Sequence, residues 1–304
     1  LDHDVHGLPD LAQENPQVAR FLTDAAVRWI DFGIDGFRLD AVRHVPLDFW
    51  ARYNSDLSAT KPTLMLLGEY YHGLPTQVAR IQRDGGFTNM FDFPLAFALR
   101  DVFCHGESPG KIAAVLSTDS AYLAPDKLAT FVDNHDLPRI VTECASDLSR
   151  VKNALVALFA LRGIPVVTYG TESALFGATE PEIRSDMPFG APQPLADHLR
   201  RLLQAREDHP VLVHGATRVL AFEQDAIAIA RVDQREVAIF AINNRKTAIT
   251  LPVSIPEIVF TDALTGEPVV GDAIAVGDTD VRLLLGVMDE GIAKAWLGPS
   301  GDRT

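Results

Sequence analysis

The sequence has 304 residues, of which 47% are apolar and 22% charged, and its formal net charge is −14. This length and composition suit one large α/β domain with a smaller second domain, and they exclude a wholly disordered chain. The excess of negative charge argues against a nucleic-acid partner, because the phosphate backbone is itself negatively charged.

The apolar runs and the two cysteines bear on membrane binding, disulfide formation and localisation. No apolar run reaches the length that spans a bilayer, so we expect no membrane partner. We expect Cys104 and Cys144 to be separate buried thiols, with one disulfide between them as the alternative. The localisation stays unknown, because both a secreted and a cytoplasmic protein are compatible with these features.

The first two thirds of the sequence alternate helices with short apolar strands. A helix is predicted over 16–32 with Asn15 as its N-cap, and a strand over 34–40 follows at once. Further strands are predicted over 63–67, 87–93, 128–132 and 165–169, with helices over 151–161 and 195–206. Such alternation is typical of a parallel sheet with helical crossovers, and five strands fit the second half of an eight-stranded β/α barrel.

The pattern changes near residue 211. Short, often alternating strands separated by polar or glycine-containing turns are predicted over 219–222, 226–232, 237–242, 247–251, 258–261 and 281–285. They indicate a small antiparallel β domain, so we predict a barrel domain over 1–210 and a C-terminal domain over 211–304 with a polar tail from Gly298.

Three acidic residues follow predicted parallel strands. Asp40, Glu69 and Asp136 each lie at or just beyond the carboxyl end of a strand, which is the rim where β/α barrels build active sites. Because parallel strands bring these ends together, the three carboxylates are expected to meet. Taken singly, each position also has a plain structural explanation as an ion pair, a cap or a turn.

The surroundings of two of these acids favour opposite protonation states. Arg38 lies two residues before Asp40, on the same side of the strand, and its charge should lower the pKa of that carboxyl. Glu69 follows an apolar strand and precedes Tyr70 and Tyr71, so its pKa should be raised. An ionised and a protonated carboxyl are what a nucleophile and a general acid require.

A third polar segment, Asp133-Asn134-His135-Asp136, follows the strand at 128–132. A turn with side-chain capping is the plain structural explanation of this segment, since Asn and Asp favour turns. His135 is less well explained in this way, and both His135 and Asp136 are suited to hydrogen bonds with sugar hydroxyls.

These segments together resemble the motifs of the α-amylase family, glycoside hydrolase family 13. The similarity spans about residues 8–190, and the family's usual β-sandwich after the barrel matches the predicted second domain. The matching segments are LPDL at 8–11, DGFRLDAVRH at 35–44, GE at 68–69, FVDNHD at 131–136, and GIP at 163–165 with YGTE at 169–172.

The resemblance implies an α/β fold, the C-terminal part (strands 4 to 8) of a (β/α)8 TIM barrel followed by a small antiparallel β-sandwich. It implies that Asp40 is the nucleophile, Glu69 the acid/base and Asp136 the carboxylate that binds hydroxyls of the distorted sugar. The other implied substrate-binding residues are Arg38, which orients Asp40, His135 on the same sugar, and Arg43 and His44 on the leaving-group side. The nucleophile and acid carboxyls of such retaining enzymes lie about 5 to 5.5 Å apart.

The implied function is that of a retaining glycoside hydrolase acting on α-glucosidic bonds of starch-like glucans or malto-oligosaccharides through a covalent glycosyl-enzyme. A transglycosidase of the same family is the alternative among enzymes. A non-catalytic carbohydrate-binding or transport-associated relative is the alternative from another class.

Some family features have no match. The motif on the third barrel strand, which ends in Asn-His, is absent, and His3 and His6 lie in another context. We therefore expect about three barrel strands to be missing and an N-terminal segment to be a candidate partner. No metal ligand is assigned and no cofactor is expected with certainty, while the resemblance leaves calcium open for a full-length protein.

Overall fold

A computed structural model describes residues 9–253, 258–270 and 273–288 of the protein. Leu8 of the first motif, His3, His6 and the tail from Gly298 lie outside the described residues. The helices are α1 Pro16–Asp31, α2 Leu47–Thr60, α3 Pro75–Gly85, α4 Phe93–Phe103, α5 Gly110–Leu116, α6 Ile140–Glu143, α7 Leu148–Ala160, α8 Ala196–Asp208 and α9 Val211–His214.

The strands are short in the first half of the chain and longer in the second. They are β1 Gly36–Leu39, β2 Met65–Gly68, β3 Asn89–Met90, β4 Ala129–Thr130, β5 Ile164–Pro165, β6 Ala216–Glu223, β7 Ala226–Val232, β8 Glu236–Asn243, β9 Ile249–Pro252, β10 Val259–Asp262, β11 Pro268–Val270, β12 Ala273–Val276 and β13 Asp280–Val287.

The chain forms two compact units, residues 1–94 with 118–129 and residues 95–117 with 130–304. In the first unit, β1, β2 and β3 pair in parallel in that order, with α2 and α3 as the crossovers between them. Apolar side chains of the strands and helices form its core, among them Leu57, Leu66, Val78 and Met90. The predicted parallel βαβ pattern is confirmed in this unit.

Helix α1 begins as the sequence predicts. The Asn15 side chain accepts a hydrogen bond from Gln17 N at 2.9 Å, and Pro16 occupies the first turn, where no backbone donor is needed. After the helix, Gly33 has φ +98°, which a residue with a Cβ rarely adopts. The chain can therefore turn directly into β1.

The second unit contains the predicted antiparallel β structure. A six-stranded sheet has the order β11-β10-β13-β8-β7-β6, and β9 pairs with β12 in a separate two-stranded sheet. Strand β7 is buried on both faces: Ile227 and Ile229 join the core that contains α7, while Ala228 and Ala230 join the core that contains β9 and β12. Because both faces are covered, large and small apolar residues alternate along this strand.

The same unit corrects the expectation for the cysteines. Cys104 and Cys144 form a disulfide rather than separate thiols. Both are nevertheless buried, as expected. Sequence spacing alone did not show that α4 and the end of α6 lie side by side.

No helix in the described ranges has both the length and the apolar character needed to cross a bilayer. The predicted domain division at residue 210 stays a prediction.

Candidate active site

Asp40 and Glu69 are placed by the pairing of β1 with β2. Leu39 is opposite Gly68 in the parallel register, so each acid is the residue that follows a paired position. Two backbone hydrogen bonds continue the pairing past the strand ends, from Glu69 N to Leu39 O (2.9 Å) and from Val42 N to Glu69 O (3.1 Å). The two carboxyls therefore emerge side by side at the carboxyl edge of this sheet.

Two glycines in these motifs are required by close packing. A Cβ on Gly36 would lie 2.7 Å from Met65 Cβ, and one on Gly68 would lie 2.7 Å from the ring of Phe87. Atoms of side chains do not approach so closely without displacement. The glycines thus let β1 pack closely on β2, and let Phe87 pack closely on β2. This close packing sets the position of the sheet edge that carries the two acids.

Arg38 contacts both acids. Its Nη1 donates to Asp40 Oδ1 at 2.7 Å, and its Nη2 donates to Glu69 Oε1 at 2.5 Å. The Asp40 side chain is 71% exposed, whereas that of Glu69 is only 12% exposed. One guanidinium therefore fixes the relative position of an open carboxyl and a largely buried one.

The pKa values of the two carboxyls are shifted in opposite directions. A hydrogen bond from Glu69, and after it the charge of Arg38, lower the pKa of Asp40 below its ordinary value. Burial, together with the hydrogen bond to Asp40, raises the pKa of Glu69 to about 7. Both directions agree with the sequence prediction, but the leading cause for Asp40 is Glu69 rather than Arg38. Below about pH 7 the pair therefore holds one proton, on Glu69.

Arg43 and His44 lie in a 3-10 turn, Val42–His44, directly after this edge. Ala41 before it has φ +49°, a left-handed conformation, which turns the chain sharply after Asp40. Arg43 is exposed and His44 is half-buried. Their predicted contact with the leaving-group side of a sugar stays a prediction.

The polar segment 133–136 lies in the second unit. Asp133 is buried and accepts a hydrogen bond from Ile140 N at 2.8 Å, and burial raises its pKa. Asn134 Oδ1 accepts from Asp136 N at 2.9 Å. The turn-and-cap interpretation is therefore right for these two residues.

His135 and Asp136 remain accessible, with side chains 43% and 41% exposed. Their side chains contact each other, His135 Nε2 lying 3.2 Å from Asp136 Oδ2. The structure thus brings Asp40, Glu69 and Arg38 together in one unit and His135 and Asp136 together in the other. That all three acids meet stays a prediction.

Arg184 is a residue of this second group that the sequence analysis missed. Its Nη2 donates to Asp136 Oδ1 at 2.5 Å, across 48 positions of sequence. Arg184 lies in the 3-10 turn Glu182–Arg184, in the irregular segment after β5, where no periodicity or motif singles it out. A charged cluster at Glu180, Glu182 and Arg184 was the only available signal.

In the part of the chain that the structure describes, no group of three or more His, Cys, Asp or Glu residues is arranged to hold a metal ion.

Comparison with known families gives a match over much of the chain. The sequence profile of the alpha amylase catalytic domain matches residues 1–210. A maltogenic alpha-amylase of Bacillus acidopullulyticus is 30% identical over 262 residues, which are 81% of this chain and 44% of that protein. A cyclomaltodextrin glucanotransferase of Niallia circulans is 30% identical over 274 residues, 86% of this chain and 38% of that protein.

Solved structures show the same similarity to alpha-amylases. An Anoxybacillus alpha-amylase superposes with a TM-score of 0.86 at 32% identity, over 93% of this chain and 66% of that one. The alpha-amylase of Geobacillus thermoleovorans, solved with acarbose, gives a TM-score of 0.87 at 31% identity, over 94% and 67%. The chain spans less than half the length of the two curated relatives named here. Because the catalytic domain of the α-amylase family matches residues 1–210, the chain belongs to this family of glycosidases.

Proposed function

We propose that the protein is a retaining glycoside hydrolase that cleaves α-glucosidic bonds in starch-like glucans or malto-oligosaccharides. The observation that supports this most is the Arg38-bridged pair, in which the pKa of Asp40 is lowered and that of Glu69 is raised to about 7, so that below this pH one carboxyl is ionised and the other protonated. The similar proteins named as amylases support the glucan substrate. We further propose that the parallel strands are the fourth to eighth of a TIM barrel, and that the C-terminal sheets form its accompanying β-sandwich.

The first chemical step uses both members of the pair. A carboxylate oxygen of Asp40 attacks the anomeric carbon, while Glu69 gives its proton to the glycosidic oxygen as that bond breaks. The leaving sugar departs with a new hydroxyl, and Asp40 is left esterified to the remaining sugar. Arg38 orients both carboxyls before the reaction, so the pair need not reorganise.

In the second step Glu69, now ionised, takes a proton from water, and the oxygen of that water replaces Asp40 on the anomeric carbon. Two inversions give net retention. Inverting enzymes keep their carboxyls about 6.5 to 9.5 Å apart to admit a water. Asp40 and Glu69 both accept from the one Arg38 guanidinium, at 2.7 and 2.5 Å, and a shared guanidinium favours the closer spacing of a retaining enzyme.

The roles of the remaining residues rest on their motifs and local surroundings. Asp136 would accept hydrogen bonds from sugar hydroxyls, and His135 would donate a hydrogen bond to one. Their half-exposed side chains are suited to both contacts. Arg43 and His44 would contact the leaving-group side.

The test uses a polypeptide in which an N-terminal segment with further barrel strands is joined to residues 1–304. It is incubated with soluble starch and with malto-oligosaccharides, followed by chromatography of the products and NMR of the first-formed anomer. We expect shorter oligosaccharides with the α configuration. Longer or cyclic products would indicate a transglycosidase, which the similarity to a cyclomaltodextrin glucanotransferase keeps as the second candidate. Binding of sugar without any product would indicate a non-catalytic relative.

A further inference from the structure

Arg184 makes its contacts with the segment that carries Asp136. Its Nη2 lies 2.5 Å from Asp136 Oδ1, and its Nε donates to the backbone oxygen of His135 at 3.1 Å. The same Nε lies 2.7 Å from Glu180 Oε1. The guanidinium therefore joins the turn at 180–184 to both the side chain of Asp136 and the backbone just before it.

The backbone on each side of Arg184 is itself held by side chains. Ile183 O accepts from Arg139 Nε at 2.9 Å, and Ser185 O accepts from the hydroxyl of Tyr169 at 2.8 Å. Arg139 is buried, and its guanidinium packs over the Tyr169 ring at 4.7 Å from the centroid. Both carbonyls that flank Arg184 are thus anchored to one contacting pair, the buried Arg139 and the partly exposed Tyr169, which presents the Arg184 side chain in a defined position.

Asp136 is oriented by what surrounds it. Its backbone N–H is bound by Asn134 Oδ1, and its second carboxylate oxygen faces His135 Nε2. Arg184 holds the first oxygen. With the carboxyl still 41% exposed, a ligand can reach it while its rotamer is already set.

We infer that Arg184 is a positioning residue that orients the Asp136 carboxylate for its contact with sugar. This rests on the proposed function. Losing the orientation of a group that must meet the reacting sugar in a fixed geometry lowers the rate of the chemical step, even where ground-state binding survives.

A direct contact of Arg184 with sugar is the competing role, since its side chain is 50% exposed. A double-mutant cycle between Arg184 and Asp136 separates the two. An effect that acts through Asp136 disappears once Asp136 is replaced, whereas an independent sugar contact contributes equally in both backgrounds.

The variants are Arg184→Met, Arg184→Lys, Asp136→Asn and the double Arg184→Met/Asp136→Asn. Arg200→Met is the matched control, because Arg200 forms an exposed ion pair with Asp197 on α8 of the same unit. With a malto-oligosaccharide substrate we expect Arg184→Met to lower kcat about ten- to a hundredfold while KM changes little. In the Asp136→Asn background the same change should alter kcat less than about twofold. Arg184→Lys should recover part of the loss, and Arg200→Met should match the unmutated protein, because exposed ion pairs contribute little.

A crystal structure of Arg184→Met provides a readout that needs no turnover. We expect the Asp136 carboxylate to leave the orientation it has beside Arg184, with the 133–139 backbone otherwise unchanged. An unmoved Asp136 side chain overturns the inference whatever the activity, and so does an equal kcat loss in both backgrounds or a rise in KM alone. All variants are made in the polypeptide that carries the added N-terminal segment, and absence of any product from that polypeptide without substitutions counts instead against the proposed function.

Discussion

One guanidinium at the edge of the parallel sheet links two carboxyls whose protonation states differ. The positive charge of Arg38 favours the ionised form of both carboxyls, yet Glu69 keeps a pKa of about 7 because burial has the larger effect on it. Asp40, which is mostly exposed and accepts a hydrogen bond from Glu69, stays ionised. The difference in burial therefore decides which acid donates a proton and which can attack.

Replacement of Asp40 by asparagine should remove the attacking carboxylate while keeping the shape of the side chain. In a polypeptide that shows glucan hydrolysis, we expect Asp40→Asn to lower kcat by several orders of magnitude, since the covalent route is lost. Circular dichroism should show an intact fold, because the residue is exposed and its loss opens no cavity. A folded variant that keeps most of its activity would rule out the nucleophile role.

Replacement of Glu69 by glutamine should affect the two steps differently. Substrates with a very acidic leaving group, such as glycosyl fluorides, need little protonation, so their first step should be nearly as fast in Glu69→Gln as in the unmutated protein. Deglycosylation should be slow, and added azide should relieve it. Pre-steady-state kinetics would measure both steps, and equal slowing of the first step for fluoride and natural glucan would contradict an acid/base role.

The pKa directions also predict a pH dependence. The active form has Glu69 protonated, so kcat/KM should fall as pH rises through about 7. It should fall again on the acid side only below the ordinary pKa of an aspartate, since the pKa of Asp40 is lowered. A pH profile of kcat/KM tests this. With a glycosyl fluoride and Glu69→Gln, the alkaline decline in the first step should vanish, and its persistence would assign that decline to another group.

These residue-level features differ in how far the sequence predicts them. Arg38 and Asp40 lie two apart on one strand, and the apolar run before Glu69 is local, so alternation and composition predicted their surroundings. The contact between Arg184 and Asp136 joins residues 48 positions apart through an irregular loop. No local pattern encodes such a contact, because loop backbones follow no fixed period.

At the scale of elements, the three predicted helices match α1, α7 and α8 to within three residues at each end, but the other helices were not predicted, and the short strands were predicted less well than the long ones. Strand β7 has the predicted bounds, since a continuous apolar run between turns defines it. The predicted strand at 87–93 instead gives only Asn89–Met90, and α4 begins at Phe93. Aromatic residues suit both a strand and a buried helix start, so periodicity over seven residues cannot separate them.

The disulfide ties two helices that the chain separates by a long segment. Cys104 and Cys144 are 40 positions apart, and closing a loop of this length removes unfolded-state entropy worth about 4 kcal/mol of stability. We expect reduction, or the double variant Cys104→Ala/Cys144→Ala, to lower the free energy of unfolding by roughly that amount. Denaturant titration with and without reductant measures it.

The control for this prediction is the double variant itself, in which reductant should change nothing. If reductant leaves the unfolding midpoint of the unmutated protein unchanged, the bond either does not form in solution or does not contribute to stability.

At the scale of the whole molecule, helix α1 of the first unit and the residue after it expose three large aromatic side chains. Phe21 and Trp29 of α1 are 72% and 58% exposed, and Phe32, the residue after the helix, is 82% exposed. They contribute to the lining of a surface cavity of about 310 Å³. In the same unit, and among the described residues, β1 pairs only with β2, so its other edge is open. Exposed apolar surface and an open parallel edge each favour association with another polypeptide.

We therefore predict that residues 1–304 expressed alone will be poorly soluble or self-associated and will hydrolyse glucan barely or not at all. Charged residues on the exposed face should oppose association, so the double variant Trp29→Glu/Phe32→Glu should shift the protein toward monomer in sedimentation velocity experiments. Phe189→Glu is the matched control, since that ring is 89% exposed in the second unit and should leave the association unchanged. An N-terminal segment that supplies further barrel strands, joined covalently or added in trans, should cover the edge and restore activity. A monodisperse, fully active monomer of residues 1–304 would show that the open edge does not require covering.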